Sequence, residues 1–109
     1  MKSSQLGEFQ EIVLLVILLL DEQAYGVSIQ EEIETRTNRS LSRGALHTAL
    51  TRLAEKGFVS SAYGGATNQR GGRRKRFYQV TKLGVAALQE ARRVREELWN
   101  LIPSLNFQA

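Results

Sequence analysis

Arg70, Arg73, Arg74, Lys75 and Arg76 put five cations within seven residues, at the end of and just past a stretch from Gly64 to Lys75 that also contains the pairs Gly64-Gly65 and Gly71-Gly72. Guanidinium and ammonium groups neutralise phosphates, so this is the composition of a segment that follows a phosphate backbone or enters a minor groove. A second set lies upstream: Ser42, Arg43, Gly44, His47, Thr48, Thr51 and Arg52. Arginine pairs bidentately with guanine, threonine and histidine reach base edges or phosphates, and small residues let a helix settle deep in a major groove. Both sets point to a nucleic acid.

Other chemistries find less to build on. A phosphate-binding P-loop needs Gly, four residues and then Gly-Lys-Ser/Thr between a strand and a helix, whereas Gly71 is followed by Gly72 and a strand-like run. His47 is the only histidine, so a histidine metal cluster or a Ser/His/Asp triad has little to build on, and the absence of cysteine excludes a thiolate site. Glu31, Glu32 and Glu34 have no histidine near them and read as a solvated helix face. The sequence thus argues against an enzyme and calls for no metal or cofactor.

Charge is sharply partitioned along the chain. Residues 1–35 carry seven acids and one base, residues 36–82 carry eleven bases and one acid, and the remainder balances. The net +4 therefore understates the local field of the middle segment. A merely solvated basic surface would intersperse acids, and none occurs between Glu55 and Glu90.

The elements that must position these residues are legible. Leu46, Ala49, Leu50 and Leu53 follow the i, i+3, i+4, i+7 spacing of one buried helical stripe, which turns the second polar set outward. Ser42 is placed to cap this helix and Gly57 to end it in a left-handed conformation. Before it, Val27 to about Thr37 forms a helix with Ile29 and Ile33 inward, joined by the short connection Asn38 to Leu41. After it, strand-like runs at 58–63 and 76–80 flank the basic loop, with Phe77 or Tyr78 closing the core beneath. The expected fold is α+β and mainly α: a winged helix-turn-helix over residues 1–82, with a dimerisation helix and tail over 83–109.

The first helix, from Leu6 to Leu20, is apolar nearly all round, more than one domain of 109 residues covers by itself. A second copy of the chain is expected to bury part of it. The run Ile12 to Leu20 is too short to span a bilayer and has no signal-peptide flanks, and with no cysteine the chain fits the cytoplasm. Thr81 caps a last helix in which Ala87, Ala91, Val94, Leu98 and Leu101 repeat at a 4-3-4-3 spacing suited to helix-helix contact. Pro103 stops it, leaving Leu105 and Phe107 in a tail. Phe9, Val13, Val94, Leu98, Trp99 and Ile102 are the residues expected at a dimer or effector interface, with Trp99 either packing there or stacking on a flat hydrophobic ligand.

The chain resembles the PadR family of bacterial transcriptional regulators. The likeness rests on Ala24-Tyr25-Gly26-Val27, on the run Leu41-Ser42-Arg43-Gly44-Ala45-Leu46-His47-Thr48-Ala49-Leu50-Thr51-Arg52-Leu53 with Glu55-Lys56-Gly57 behind it, and on Arg74 to Thr81 with Gly84. It departs at His47, where many members have tyrosine, and in a longer wing. The resemblance implies a homodimeric repressor with the third helix in the major groove of an inverted-repeat operator, the wing on the backbone or minor groove, and the last helix dimerising with help from the first. Some members respond to phenolic acids or hydrophobic drugs. The competing class is a winged-helix module that takes RNA or a protein partner on its basic face.

Overall fold

The apolar first helix dictates where the core lies. In the computed structural model, which describes residues 6–64 and 74–103, α1 (Glu8–Leu20) runs through the middle and buries Val13, Leu14 and Ile17 to 1% exposure or less. Packed on it are α2 (Gly26–Thr37), through Ile29 and Ile33, and α3 (Arg43–Glu55), through Leu46, Ala49, Leu50 and Leu53. Side chains buried this fully stabilise the fold by roughly 1.5–3 kcal/mol each, which is why the leucine stripe fixes the rotation of α3.

β1 (Val59–Gly64) and β2 (Lys75–Val80) form an antiparallel hairpin, with Val59 opposite Val80 at its base and Gly64 opposite Lys75 toward its tip. Tyr25 adds a one-residue rung on the free side of β2. It bridges Phe77, and the Tyr78 N–H donates to the Ala24 carbonyl at 2.9 Å. The two aromatic neighbours divide their work: Tyr78 packs against the core, whereas Phe77 meets the Tyr25 ring edge-on at 5.5 Å. Helix-turn-helix, hairpin and a final helix α4 (Lys82–Asn100) make this a mainly helical winged helix-turn-helix.

The expected caps are in place. Ser42 Oγ accepts from the Ala45 N–H at 3.0 Å, and Gly57 ends α3 with φ of +81°. Thr81 does two things at once: its hydroxyl accepts from the Gly84 N–H at 3.0 Å and donates to the Gly57 carbonyl at 2.7 Å, which ties the start of α4 to the end of α3. Close approach explains Gly84, where an added Cβ would lie 2.3 Å from the Phe58 carbonyl oxygen.

The buried residues of α4, Gly84 and Leu88, lie in its first part. Beyond it Val94, Leu98, Trp99, Leu101 and Ile102 stand exposed, and the radius of gyration is 16.4 Å against about 13 Å for a compact chain of this length. On α1, Leu15, Leu18 and Leu19 are exposed as well. Val13 does not belong with them: expected at an interface, it is fully buried, because it lies on the face of α1 that the other elements of the same chain cover. Among the described residues no helix is long and apolar enough to cross a membrane. Arg70, Arg73, Leu105 and Phe107 lie outside the described residues.

Candidate nucleic-acid interface

The leucine stripe that buries one side of α3 leaves the other open. Ser42, Arg43, Gly44, His47, Thr48, Thr51 and Arg52 are all exposed, so every upstream residue singled out from the sequence reaches solvent on this element. None of them is drawn into an ion pair among the described residues.

Helix α2 braces this surface through one residue of the connection. The Leu41 N–H donates to Glu34 Oε2 at 2.8 Å, and the Leu41 carbonyl accepts from Gln30 Nε2 at 2.7 Å. Both backbone groups just before the α3 cap are thereby held by α2 side chains. Glu34 is thus a structural acceptor, not merely part of a solvated face. Glu32 pairs with Arg36 at 2.7 Å, one helical turn on, and Glu31 is exposed. Sequence reasoning missed the Glu34 brace because a carboxylate seven residues from its donor leaves no periodic signal.

The register of the hairpin sorts the wing cations. Tyr63 stands opposite Arg76 and Ser61 opposite Tyr78, so these four share one face with Val59 and Val80. That face looks onto α3 across a groove of about 310 Å³ lined by His47, Thr51, Arg76 and Tyr78 among others. Lys75 belongs to the other face, where its Nζ sits 4.1 Å from the centre of the Tyr25 ring, a cation–π contact. Arg74 is exposed at the foot of the loop. The structure therefore brings His47, Thr51 and Arg76 together and sets Lys75 apart from them.

Arg76 is itself held. Its Nε donates to Ser61 Oγ at 3.0 Å, and its guanidinium lies 5.6 Å from the Tyr63 ring and 5.9 Å from the Tyr78 ring. Neither Ser61 nor Tyr63 stood out in the sequence. Their relation to Arg76 depends on strand register, and a long glycine-rich connection hides register from any count along the chain.

A second, larger groove of about 570 Å³ runs between α1 and α4, with Leu15, Leu18, Val85, Leu88 and Trp99 along it and Glu11, Arg92, Arg95 and Glu96 at its polar margin. Of the residues expected at a dimer or effector interface, Trp99 borders this groove at 60% exposure, Val94, Leu98 and Ile102 are exposed on or just past α4, and Phe9 is half-buried. Arg92, Arg93 and Arg95 are each held above the ordinary arginine value by hydrogen bonds to Glu96, Glu90 and Glu11 respectively, and Glu90 is held below the ordinary glutamate value by Arg93. The charges of α4 from Glu90 to Glu97 are thus paired within the chain, and the exposed residues Val94, Leu98 and Trp99 stand among them or just past them.

The sequence profile of the transcriptional regulator PadR-like family matches residues 14–90, from the middle of α1 into α4. The chain belongs to this family. A relative by sequence, an uncharacterised protein of Lysinibacillus sphaericus, is 36% identical over 86 residues, covering 77% of this chain and 74% of that protein. The fold is shared with a PadR-like transcription factor from Bacteroides fragilis, with a TM-score of 0.68 at 23% identity over 89% of each chain. It is shared too with a PadR-like transcriptional regulator from Bacillus cereus, with a TM-score of 0.69 at 16% identity over 93% of each chain. At such identities the likeness lies in backbone architecture, and the family match supplies the biochemical class: this PadR-like chain is a transcriptional regulator, and its neighbours are regulators, not enzymes.

Proposed function

We propose that this PadR-like regulator binds duplex DNA as a two-fold homodimer and represses transcription from an inverted-repeat operator. The observation that carries the proposal is the open face of α3, with His47, Thr48, Thr51 and Arg52 exposed beside a wing whose Arg76 faces the same groove. Thr48 and Arg52 read bases from the major groove, while Arg74 and the other loop cations neutralise backbone phosphate. Two such helices in a dimer meet half-sites about one turn, roughly 34 Å, apart. Work on DNA puts the protein in the cytoplasm.

Self-association is supported by the apolar surface that the protomer leaves uncovered on α1 and α4, at Leu15, Leu18, Leu19, Leu98 and Trp99. Contiguous exposure of this kind is uncommon on a monomer. An effector enters the proposal at the same place: a flat hydrophobic compound would stack on Trp99 in the groove between α1 and α4 and alter how the two protomers meet. Unchanged tryptophan fluorescence and DNA affinity across a panel of flat aromatic compounds would remove the effector and leave the repressor.

The test of the main proposal is an anisotropy titration on the duplex upstream of the chain's own gene and on a scrambled duplex, across a salt series. Tighter binding to the native duplex that persists as salt rises is the expected result. Equal binding to both, vanishing together with salt, would overturn sequence-specific recognition and favour an RNA or protein partner on the basic face.

A further inference from the structure

Arg76 differs from the other basic residues of the wing in being built in. Its Nε hydrogen is taken by Ser61 Oγ at 3.0 Å, and two rings flank the guanidinium within cation–π range, Tyr63 at 5.6 Å and Tyr78 at 5.9 Å. Tyr78 packs against the core and so fixes the base of the arrangement, while Tyr63 is 61% exposed and has no core to serve. An exposed tyrosine and serine aligned on one arginine by strand register form a mount for that arginine. With Nε occupied, the two terminal nitrogens are left as a planar fork. Among the described residues no carboxylate bonds to them. The one carboxylate on the groove, Glu55, sits eight residues beyond His47 on α3, roughly 12 Å along the helix axis.

A planar fork matches a phosphate bidentately, and holding it in place lowers the rotamer entropy lost on binding. A mobile cation gives affinity without register, whereas a fixed one accepts a phosphate only at a set distance from the bases that α3 reads. Resting on the DNA-binding proposal above, we infer that Arg76 is a fixed phosphate anchor, and that Ser61 and Tyr63 are its positioning residues. The pair sets where α3 lies along the groove; Arg74, on an exposed loop foot, contributes charge alone.

The experiment compares Arg76→Lys, Ser61→Ala, Tyr63→Leu and the two combinations with Arg76→Lys, using a duplex that the wild-type protein selects from a random pool and a random duplex of the same length. Arg76→Lys keeps the charge but loses the fork. It is expected to weaken binding to the selected duplex about tenfold while leaving random-duplex affinity and the slope of affinity against salt nearly unchanged. Ser61→Ala and Tyr63→Leu are expected to weaken selected-duplex binding about threefold each, and to have no further effect in the Arg76→Lys background, because they act through the arginine. Thermal melts of every variant separate these losses from misfolding, and Ser61→Thr, which keeps the hydroxyl, is expected to restore wild-type binding. Additive losses in the Arg76→Lys background, or a selected-duplex affinity untouched by Arg76→Lys, would overturn the inference. Failure of the wild-type protein to select any duplex would instead overturn the DNA-binding proposal on which it rests.

Discussion

Arg95 donates through both terminal nitrogens to both carboxylate oxygens of Glu11, each at 2.8 Å, joining α4 to α1 across 84 residues of sequence. Glu11 keeps only 13% of its side chain exposed, so the pair rims the apolar groove between the two helices instead of dangling from it. Glu11 raises the Arg95 pKa above the ordinary arginine value, so the contribution of the cation is complete below that value and is lost only as pH rises through the still higher folded value. Arg95→Ala should therefore weaken self-association at any pH from neutral to moderately alkaline, by about fivefold, because α4 loses its fixed angle on α1. Sedimentation at micromolar concentration measures this, and unchanged association would reduce the pair to a surface contact.

Substitutions on α3 and on the wing should part company. Thr48→Ala or Arg52→Ala should cost about 1–3 kcal/mol on the operator and far less on random duplex. Arg74→Ala should weaken all duplexes alike and flatten the salt dependence by about one phosphate contact. Anisotropy titrations on both duplexes check the division, and identical behaviour of the two kinds of variant would sink it.

Glu34→Ala takes the acceptor from the Leu41 N–H, a half-buried donor, and should destabilise the protein by about 1–2 kcal/mol. Operator affinity should fall as well, since α3 loses a brace at its start. Glu34→Gln retains an amide oxygen in the same place and should recover most of both. Denaturant melts and titrations together distinguish this from a simple charge effect, which Gln would not rescue.

At Gly84 two effects oppose. Alanine in place of glycine within a helix gains about 1 kcal/mol, but here its Cβ would stand 2.3 Å from the Phe58 carbonyl oxygen and 2.8 Å from Val80 Cγ1. Overpacking against backbone costs about 1–3 kcal/mol or more, so the clash wins and Gly84→Ala should lower the melting temperature. A stabilised variant would mean that α4 shifts freely on the hairpin.

Asp21 ends α1 with φ of 55° and ψ of −118°, a combination that glycine adopts readily and aspartate does not. Strain of this kind costs about 1–3 kcal/mol, against roughly 0.5–1 kcal/mol of extra chain entropy for a glycine. Asp21→Gly should therefore raise the melting temperature, and its exposed position leaves DNA binding untouched.

Composition and spacing by themselves pointed to a nucleic-acid partner and laid out most of the elements. The leucine stripe of α3, the Ser42 and Thr81 caps, the left-handed Gly57 and the concentration of cations between Arg36 and Lys82 are local or periodic properties, so the chain states them without its fold. Tertiary structure decided what depends on register and on distance. Lys75 and Arg76 are neighbours in sequence, yet strand alternation sends one to Tyr25 and the other to the groove beside His47. Val13 and Leu15 are both apolar residues of one helix, yet packing buries the first and leaves the second exposed. The Glu34 to Leu41 and Arg95 to Glu11 contacts join residues that no period links, because hydrogen bonds across elements follow the path of the chain through space and leave no repeat in the sequence.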